Sequence, residues 1–427
     1  MDAKVSVYVP VVFRSFQGFS VNDIKEYRSR QHMEIELIKV EDKVHLCSHC
    51  GERLGAMHDR YRVNARHLRV MGWTVTVCFF REKRWCEKCK KIRSELIEWI
   101  CPTSPHMTVE LAFWINRLSE ITTIMQVSLL ESIDKMSAYR VDKYILMRLL
   151  QGYKIPKLTH IAVDEVYARG PKQLKDGETR DDLFFTVIVD IKTRKVIWVS
   201  QSRRKEALDE FFKLIGPDEC QQIQVVATDQ HDGYSASVKE YCPNAVVVWD
   251  RFHLVQKFNE ALNEERKDEL NNIDPEGEMQ DLMNGKYRYI FLTKAGKRNA
   301  TDQRHIATVT RLNKKMAMLE IIKEHFHQVF YAPTVLDAQV MLAEVYQWCL
   351  DAKAHHIFKW LLSILKDNRF WNYFEHRYTT GVCEGINRAI KGLKWQAYGY
   401  KDMLYFRLKI MQKVGYLSYR YFLAPTN

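Results

Sequence analysis

The chain lacks any long uninterrupted run of apolar residues, although 46% of its 427 residues are hydrophobic. A helix that crosses a membrane needs about 20 consecutive, mostly apolar residues, so no membrane-spanning segment is predicted. Internal repeats, low-complexity segments and the small-residue cleavage site of a secretory signal are also missing. We therefore expect a cytoplasmic protein, and its length predicts roughly two to four domains.

Negative charge is scarce relative to positive charge. The sequence holds 65 Lys and Arg residues against 53 Asp and Glu residues, a formal net charge of +12. This excess attracts polyanions, above all nucleic acid, because neutralised phosphates release their counterions. The ten cysteines come without an export signal, which favours metal ligands or reduced core thiols over disulfides.

Four cysteines form two CxxC pairs, and the sequence between the pairs alternates as in β-strands. The paired residues are Cys47, Cys50, Cys86 and Cys89. Zinc takes four such ligands in a tetrahedron, and each CxxC supplies two from one tight turn. We predict a zinc ribbon on these four thiols. Three nearby histidines are alternative ligands, expected instead on the surface or facing DNA: His49, His58 and His67.

Basic residues surround the two pairs and favour contact with phosphate. They are Arg60, Arg62, Arg66, Arg69, Arg81, Lys83 and Arg84.

Residues 106–150 have no Gly and show apolar residues at helical spacing. A second amphipathic segment in this block begins at Ser137, which is suited to N-capping. Two short helices around a turn fit a helix-turn-helix, whose second helix would enter the major groove. A small helical linker fits the spacing almost as well. Arg140, Lys143 and Arg148 on the second helix favour the DNA-binding alternative.

From residue 158 the pattern becomes strand-like. Short apolar runs predict strands over residues 160–166, 184–190, 195–200, 223–229 and 245–250. The second and third runs flank a polar turn and indicate a hairpin, and helical stretches precede the fourth and the fifth. Three strands, helix, strand, helix, strand is the element order of an RNase H-like domain. Residues 253–376 and 382–419 are predicted to be helical.

Carboxylates stand at the ends of two predicted strands. Asp164 ends the first strand and Asp229 ends the fourth, and these strands lie side by side in an RNase H-like sheet. Mg²⁺ prefers oxygen ligands, and two such ions can activate the attacking oxygen and stabilise the leaving one in phosphoryl transfer. A third carboxylate from a following helix normally completes the site.

Other acids compete for this role, and spacing alone does not exclude them. Glu165 should point to the opposite face of its strand. Asp190 is expected to cap the hairpin, and Asp232 to begin a helix. Asp250, which precedes Arg251, is the strongest rival.

Three groups of residues carry a resemblance to a known family. They are residues 163–165 (VDE), Asp229 with residues 243–253 (PNAVVVWDRFH), and residues 383–391 (CEGINRAIK) continuing to residues 397–400 (AYGY). Together they resemble the ISL3 family of bacterial insertion-sequence transposases over essentially the whole chain. The N-terminal cysteine pairs and residues 106–150 are similar to the zinc-binding module and the helix-turn-helix of that family.

The resemblance implies a DDE transposase whose catalytic carboxylates are Asp164, Asp229 and Glu384. Spacing alone would not have selected Glu384, because a long helical stretch separates it from the sheet. The family usually has a second Asn where this chain has Arg388, and Ser-Asn where it has residues 379–380 (TT). We expect neither departure to touch a metal ligand. The basic residues expected to contact DNA are Arg140, Lys143, Arg388, Lys391 and Lys394.

The sequence therefore predicts a multidomain α/β protein. Its expected parts are a zinc-ribbon module (1–103), a helix-turn-helix (104–155), an RNase H-like core (156–274), an α-helical insertion (275–376) and the end of the core with the catalytic Glu (377–427). Mg²⁺, with Mn²⁺ as a substitute, and Zn²⁺ are the expected cofactors, and inverted-repeat and target DNA the expected partners. A homodimer or higher oligomer is expected because two ends must be joined. The alternatives are a nuclease or resolvase that does not join strands and a non-catalytic DNA-binding regulator.

Overall fold

The computed structural model describes residues 16–274 and 276–418. The strands within these ranges are β1 Phe19–Tyr27, β2 His32–Lys39, β3 Met57–Val70, β4 Trp73–Cys86, β5 Lys91–Ser94, β6 His160–Tyr167, β7 Phe184–Asp190, β8 Lys195–Gln201, β9 Val225–Thr228 and β10 Val246–Trp249. The outer ends of the first and last predicted domains, residues 1–15 and 419–427, and Pro275 of the helical insertion lie outside the described residues.

The α-helices of the described ranges follow the same chain order. They are α1 Val109–Ile121, α2 Ile124–Glu131, α3 Lys135–Gly152, α4 Lys205–Ile215, α5 Pro217–Gln222, α6 Asp232–Tyr241, α7 Arg251–Asn271, α8 Glu278–Met283, α9 Tyr287–Leu292, α10 Ala300–Leu312, α11 Lys314–Val329, α12 Val335–Asp351, α13 His355–Leu365, α14 Asn368–His376, α15 Gly381–Gln396 and α16 Met403–Val414. Of the helices in the described part of the chain, none is long and apolar enough to cross a membrane. Two mixed sheets and many helices give a mixed α/β protein, as the sequence predicts.

The described residues form two compact units. Residues 16–153 and 404–418 belong to the first, and residues 154–403 to the second. The predicted final domain, 377–427, is therefore divided at residue 404. The reason is a set of polar side chains on α16 that are buried against α1 and α3 of the first unit.

The sheet of the first unit has the order β1-β2-β4-β3, with β5 also paired to β4. The β2–β4 pair is parallel, and the other pairs are antiparallel. Alternate residues of β3 and β4, such as Val63 and Val77, are buried with Phe79 and Trp99. This period of two leaves the intervening side chains on the other face, as the alternating sequence between the cysteine pairs predicts.

Three helices follow this sheet within the first unit. Leu111 and Ile115 of α1 are buried, whereas Ile121 is 74% exposed because α1 ends there. The predicted start of the last helix at Ser137 is wrong. Asp134 is the N-cap of α3, since its Oδ2 accepts a hydrogen bond from the backbone N–H of Ser137 at 2.8 Å, and a carboxylate at this position is a strong cap.

The core of these helices contains a buried ion pair. Nζ of Lys409 on α16 lies 3.4 Å from Oδ2 of Asp142 on α3 and donates to the carbonyl of Ser119 at 2.7 Å. Asn116 and Tyr405 also donate to the Asp142 carboxylate, at 2.7 and 2.6 Å. Because burial disfavours a charged amine, it lowers the pKa of Lys409. The hydrogen bonds compensate the buried charges and fix α16 against α1 and α3.

The sheet of the second unit has the order β10-β9-β6-β7-β8. Strands β6, β7 and β8 are antiparallel neighbours, whereas β9 runs parallel to β6 and to β10. All five strands match the predicted runs to within two residues at each end. Six of the seven β7 residues are buried, because helices cover a sheet of this kind on both faces. This burial accounts for the nearly continuous apolar sequence of the strand.

The described residues between 253 and 376 are mostly helical, as predicted, and pack around a hydrophobic cluster. Phe258 of α7 stacks on Phe326 of α11 with ring centroids 4.1 Å apart. The cluster continues into Val248 and Trp249 of β10, so the helical region and the sheet share one core. Asn372 of α14 donates to the backbone carbonyl of Val247 at 2.8 Å, which ties the end of the helical region to the edge strand.

Candidate active site and cysteine cluster

Asp164 lies inside β6, three residues before its last residue, Tyr167. The prediction that it ends the strand is wrong, because pairing with β7 continues through Tyr167. Its Oδ2 accepts a hydrogen bond from Nδ2 of Asn387 at 2.7 Å, and Nε2 of His253 lies 3.8 Å from its Oδ1. The side chain remains 15% exposed, so the carboxylate is held from two sides and still reaches solvent.

Asp229 directly follows the last residue of β9, Thr228. The parallel register pairs His160 with Val225 and Ala162 with Ala227, and continuing it by two residues sets Asp164 opposite Asp229. Oδ1 of Asp229 accepts the backbone N–H of His231 at 3.0 Å. Parallel strands therefore bring these two predicted site residues together at one edge of the sheet.

Glu165 makes contacts different from those of its neighbour. Its carboxylate accepts a hydrogen bond from the hydroxyl of Tyr234 on α6 at 3.3 Å and pairs with Arg203 at 3.5 Å. Asp164 instead meets α15 and α7, as expected for consecutive residues of a strand. Burial, followed by the negative charge of Asp229, raises the pKa of Glu165 to about 7.

The other competing acids have structural roles. Asp190 accepts from the N–H of Lys192 and the hydroxyl of Thr193, at 3.1 and 2.6 Å, and so holds the hairpin turn as predicted. Asp232 is the first residue of α6. Asp250 is buried and caps α7, with one oxygen on the N–H of Phe252 and the other on the N–H of Thr380.

Negative charge accumulates around Asp164. The hydrogen bond to Asp164 and the charges of Asp164, Asp250 and Asp229 raise the pKa of His253, against the effect of burial. Burial, followed by the same Asp164 and Asp250 charges, raises the pKa of the Cys383 thiol. Several carboxylates therefore act on His253, whose Nε2 lies 3.8 Å from Oδ1 of Asp164.

Glu384 lies on α15 with a 66% exposed side chain. Its contact is with Arg388, whose Nη2 lies 2.9 Å from its Oε1. Arg388 therefore contacts the carboxylate that the resemblance implies as the third catalytic residue, because residues four apart on a helix face each other. Lys391 is exposed, and Lys394 donates to the carbonyl of Tyr167 at 3.4 Å.

Asn387 is a site residue that the sequence analysis missed. Its Nδ2 contacts Asp164, while its Oδ1 is buried and has no hydrogen-bond partner among the described residues. It follows Glu384 by three residues on α15, so both lie on the same side of the helix. That i, i+3 spacing within a polar motif is the signal that could have identified it.

The four paired cysteines meet in the first unit. In the described part of the chain they are the one group of three or more His, Cys, Asp or Glu side chains whose ligand atoms all lie within 4.8 Å of one another. Sγ of Cys50 and Cys86 are 3.5 Å apart. Burial raises the pKa of Cys47, but N–H groups of Cys50 and His49 donate to its sulfur and lower the pKa to about 7.

A buried carboxylate supports the cysteine cluster. Glu95, which forms a β-bridge with Cys47, is fully buried and pairs with Lys39 at 2.6 Å, Lys43 at 3.1 Å and His45 at 2.8 Å. Burial acts to raise the pKa of Glu95, but Lys39, Lys43 and the N–H of Glu82 lower it to about 2.

The histidines and basic residues near the cluster have mixed roles. His67 is not on the surface as expected: it is buried against Thr108, and burial lowers its pKa to about 4. His58 is exposed, and Nδ1 of His49 lies 3.7 Å from Sγ of Cys89.

Four of the seven basic residues around the cysteine pairs donate to acceptors inside the unit: Arg66, Arg69, Arg81 and Arg84. The other three are exposed: Arg60, Arg62 and Lys83.

The residues predicted to contact DNA from the second helix of residues 106–150, Arg140 and Lys143, lie on α3. Arg140 is exposed and its guanidinium donates to the carbonyl of Met136 on its own helix at 3.3 Å. Lys143 lies three residues further on, on the same side of α3.

Comparison with known proteins agrees with these features. A transposase family matches residues 161–410, which include both Asp residues and α15. The chain is 24% identical over 403 residues to the transposase for insertion sequence element IS1001 of Bordetella parapertussis, covering 92% of this chain and 95% of that protein. It is also 30% identical over 114 residues to the transposase for insertion sequence element IS1557 of Mycobacterium tuberculosis, 27% of this chain and 23% of that protein. The chain belongs to the ISL3 family of insertion-sequence transposases.

Proposed function

We propose that the chain binds the terminal inverted repeats of its insertion sequence, cleaves the element ends and joins them to target DNA. The parallel pairing of β6 with β9 is the observation that carries this proposal, because its register, extended by two residues, would set Asp164 opposite Asp229. The sheet order, with a three-stranded antiparallel meander followed by two parallel strands, supports an RNase H-like core. The catalytic carboxylates in this scheme are Asp164, Asp229 and Glu384.

The residues around Asp164 fit a divalent cation. Carboxylate and amide oxygens are ligands that Mg²⁺ and Mn²⁺ accept, and Oδ1 of Asn387 is a buried acceptor without a partner in the described residues. Adjacent carboxylates repel one another unless a cation or a proton compensates them. When bound, a pair of Mg²⁺ ions would stabilise the charge on the attacking and leaving oxygens of the phosphodiester.

The protein's own residues orient the site. Asn387 holds one oxygen of Asp164, and His253 approaches the other. Glu384 lies about one helical turn before Asn387, so in this proposal its side chain would turn away from Arg388 to reach the metal site. An exposed i, i+4 ion pair of this kind contributes only about 0.5 kcal/mol of stability, so breaking it to rotate the side chain requires little free energy.

The first unit supplies DNA recognition in this proposal. The cysteine cluster would hold Zn²⁺ as a ribbon-like module, since four thiolates at this spacing match its tetrahedral preference. Helices α1–α3 would act as a helix-turn-helix, with Arg140 and Lys143 of α3 in or beside the major groove. Arg388, Lys391 and Lys394 would contact the DNA close to the scissile phosphate.

The decisive experiment compares carboxylate variants on a duplex that carries the element's own inverted repeat, with Mg²⁺. Asp164→Asn, Asp229→Asn and Glu384→Gln should abolish end cleavage and leave inverted-repeat binding near that of the unmodified protein. Asp232→Asn, at an exposed helix start, is the matched control and should cleave normally. Cleavage retained by any of the three variants refutes that ligand assignment.

Two alternative functions predict different DNA products. A resolvase on the same fold would cut but not join, so pre-cleaved ends mixed with a target plasmid separate it from a transposase. A non-catalytic regulator would bind the inverted repeat and show no cleavage even before substitution. Strand-transfer products from pre-cleaved ends, lost in Asp164→Asn, would exclude both.

A further inference from the structure

An exposed aromatic ring surrounded by cations lies in the helical region of the second unit. Tyr331, just after α11, is 62% exposed. The guanidinium carbon of Arg251 lies 4.5 Å from its ring centroid, and Nζ of Lys294 lies 5.7 Å from it. Arg251 is the first residue of α7, and His253, which approaches Asp164, follows two residues later. This tyrosine and its three cations, Arg251, Lys294 and Lys297, are called the Tyr331 patch.

The positive charge of the patch is not neutralised by its surroundings. In residues 16–274 and 276–418, no carboxylate forms an ion pair with Lys294 or Lys297. Two acids of α11 are paired with other cations: Glu320 with the buried Arg298 at 2.6 Å, and Glu324 with the buried Lys323 at 3.2 Å. The hydrogen bond and charge of Arg251, followed by the charges of Lys294 and Lys297, lower the pKa of Tyr331.

The ring is presented by an ordered turn. Arg377, in a left-handed conformation at the end of α14, donates to the carbonyls of Phe330, Ala332 and Pro333 on both sides of Tyr331. The Tyr331 N–H donates to the carbonyl of Gln328 at 2.8 Å, and its hydroxyl accepts from Arg251 at 3.0 Å. Little conformational entropy remains to be lost when a ligand covers the ring face.

An exposed aromatic face flanked by lysines and arginine matches the chemistry of a nucleotide. Bases stack on aromatic rings whatever their identity, and nearby cations bind the phosphates that connect them. A carboxylate-rich protein partner would pair with the cations but would not pack on the ring. An apolar partner would pack on the ring but would leave the cations unpaired.

We propose that the Tyr331 patch binds single-stranded DNA, with one base stacked on Tyr331 and the adjacent phosphates on Arg251, Lys294 and Lys297. This proposal rests on the proposed function. Cleavage of an element end at Asp164 would leave a DNA strand end that the protein has to hold. The patch would thus hold unpaired nucleotides through Arg251, which lies on the same turn of α7 as His253.

The test uses a single-stranded oligonucleotide of about 12 nucleotides that contains 2-aminopurine and no inverted repeat. Its fluorescence should be quenched when the full-length protein binds. Tyr331→Leu should abolish the quenching and weaken binding about tenfold, the size expected for one lost stacking contact. The double variant Lys294→Gln with Lys297→Gln should keep the quenching at low salt and reduce the slope of log affinity against log salt by about one or more.

Tyr289→Leu is the matched control, because Tyr289 is 70% exposed beside Arg288 in the same helical region but lies outside the patch. It should leave binding and quenching unchanged. Equal affinity and quenching in Tyr331→Leu and the unmodified protein would overturn the proposal, as would an equal loss in Tyr289→Leu. Because the probe lacks the inverted repeat, the result can be read even if end cleavage fails, so the two proposals can fail separately.

Discussion

Nδ2 of Asn387 donates a hydrogen bond of 2.7 Å to Oδ2 of Asp164, although 223 positions separate the two residues in sequence. The contact joins α15 to the central strand of the sheet and sets the orientation of a carboxylate proposed to bind metal. Groups that hold a metal ligand in this way are required nearly as much as the ligand itself.

Asn387→Ala should therefore raise the Mg²⁺ concentration needed for half-maximal end cleavage by about 10- to 100-fold. Inverted-repeat binding in the absence of Mg²⁺ should not change. The measurement is a Mg²⁺ titration of cleavage, with Gln396→Ala on the exposed end of the same helix as the control. An unchanged Mg²⁺ midpoint would show that the hydrogen bond does not matter for metal binding.

Zinc binding gives a second prediction. The purified protein should contain about one zinc ion per chain, as expected for a Cys₄ site, and Cys47→Ser or Cys86→Ser should lose it. Inverted-repeat binding should fall in these variants, while metal-dependent nicking of non-specific DNA persists. Cys101→Ser replaces a buried thiol outside the cluster and should keep its zinc. Metal analysis that finds no zinc in freshly prepared protein would reject the site.

The buried ion pair of the first unit gives a third prediction. Lys409→Met leaves the Asp142 charge with fewer partners in a fully buried position, and should lower the free energy of unfolding by about 3 kcal/mol. Adding Asp142→Asn removes that charge and should restore part of the loss. Urea denaturation of both variants measures the difference. Equal stability of the single and double variants would contradict the role given to this pair.

Acid sensitivity gives a fourth prediction, from Glu95. Its pKa falls from an ordinary 4.5 to about 2 on folding, so its contribution is present above pH 4.5 and is lost as the pH falls toward 2. The full contribution is about 3 kcal/mol at most. Glu95→Gln should lower stability at neutral pH and flatten its dependence on pH across this window. Glu98→Gln, at an exposed position, should leave the profile unchanged.

The strands of the second unit could be predicted because apolar runs bounded by polar turns are a local signal. The pairing of Asp164 with Asp229 followed from the order of these elements. The contact of Asn387 with Asp164 could not be predicted, because a helix's rotation against a sheet depends on packing among residues more than 200 positions apart. For the same reason, the sequence did not predict that α16 belongs to the first unit, since Lys409 contacts Asp142 across 267 positions.

The division of the first unit between residues 16–153 and 404–418 has a consequence for synthesis on the ribosome. Residues up to 153 emerge early, but Asp142 cannot meet Lys409 until the 250 residues of the second unit, 154–403, have been translated. A message or chain that ends early would therefore yield the cysteine cluster and α1–α3 with an unpaired buried carboxylate. Because domains generally fold as units during synthesis, the first unit would complete its buried Asp142–Lys409 pair only after the second unit has been made, which under the proposed function would couple DNA recognition to possession of the proposed catalytic carboxylates.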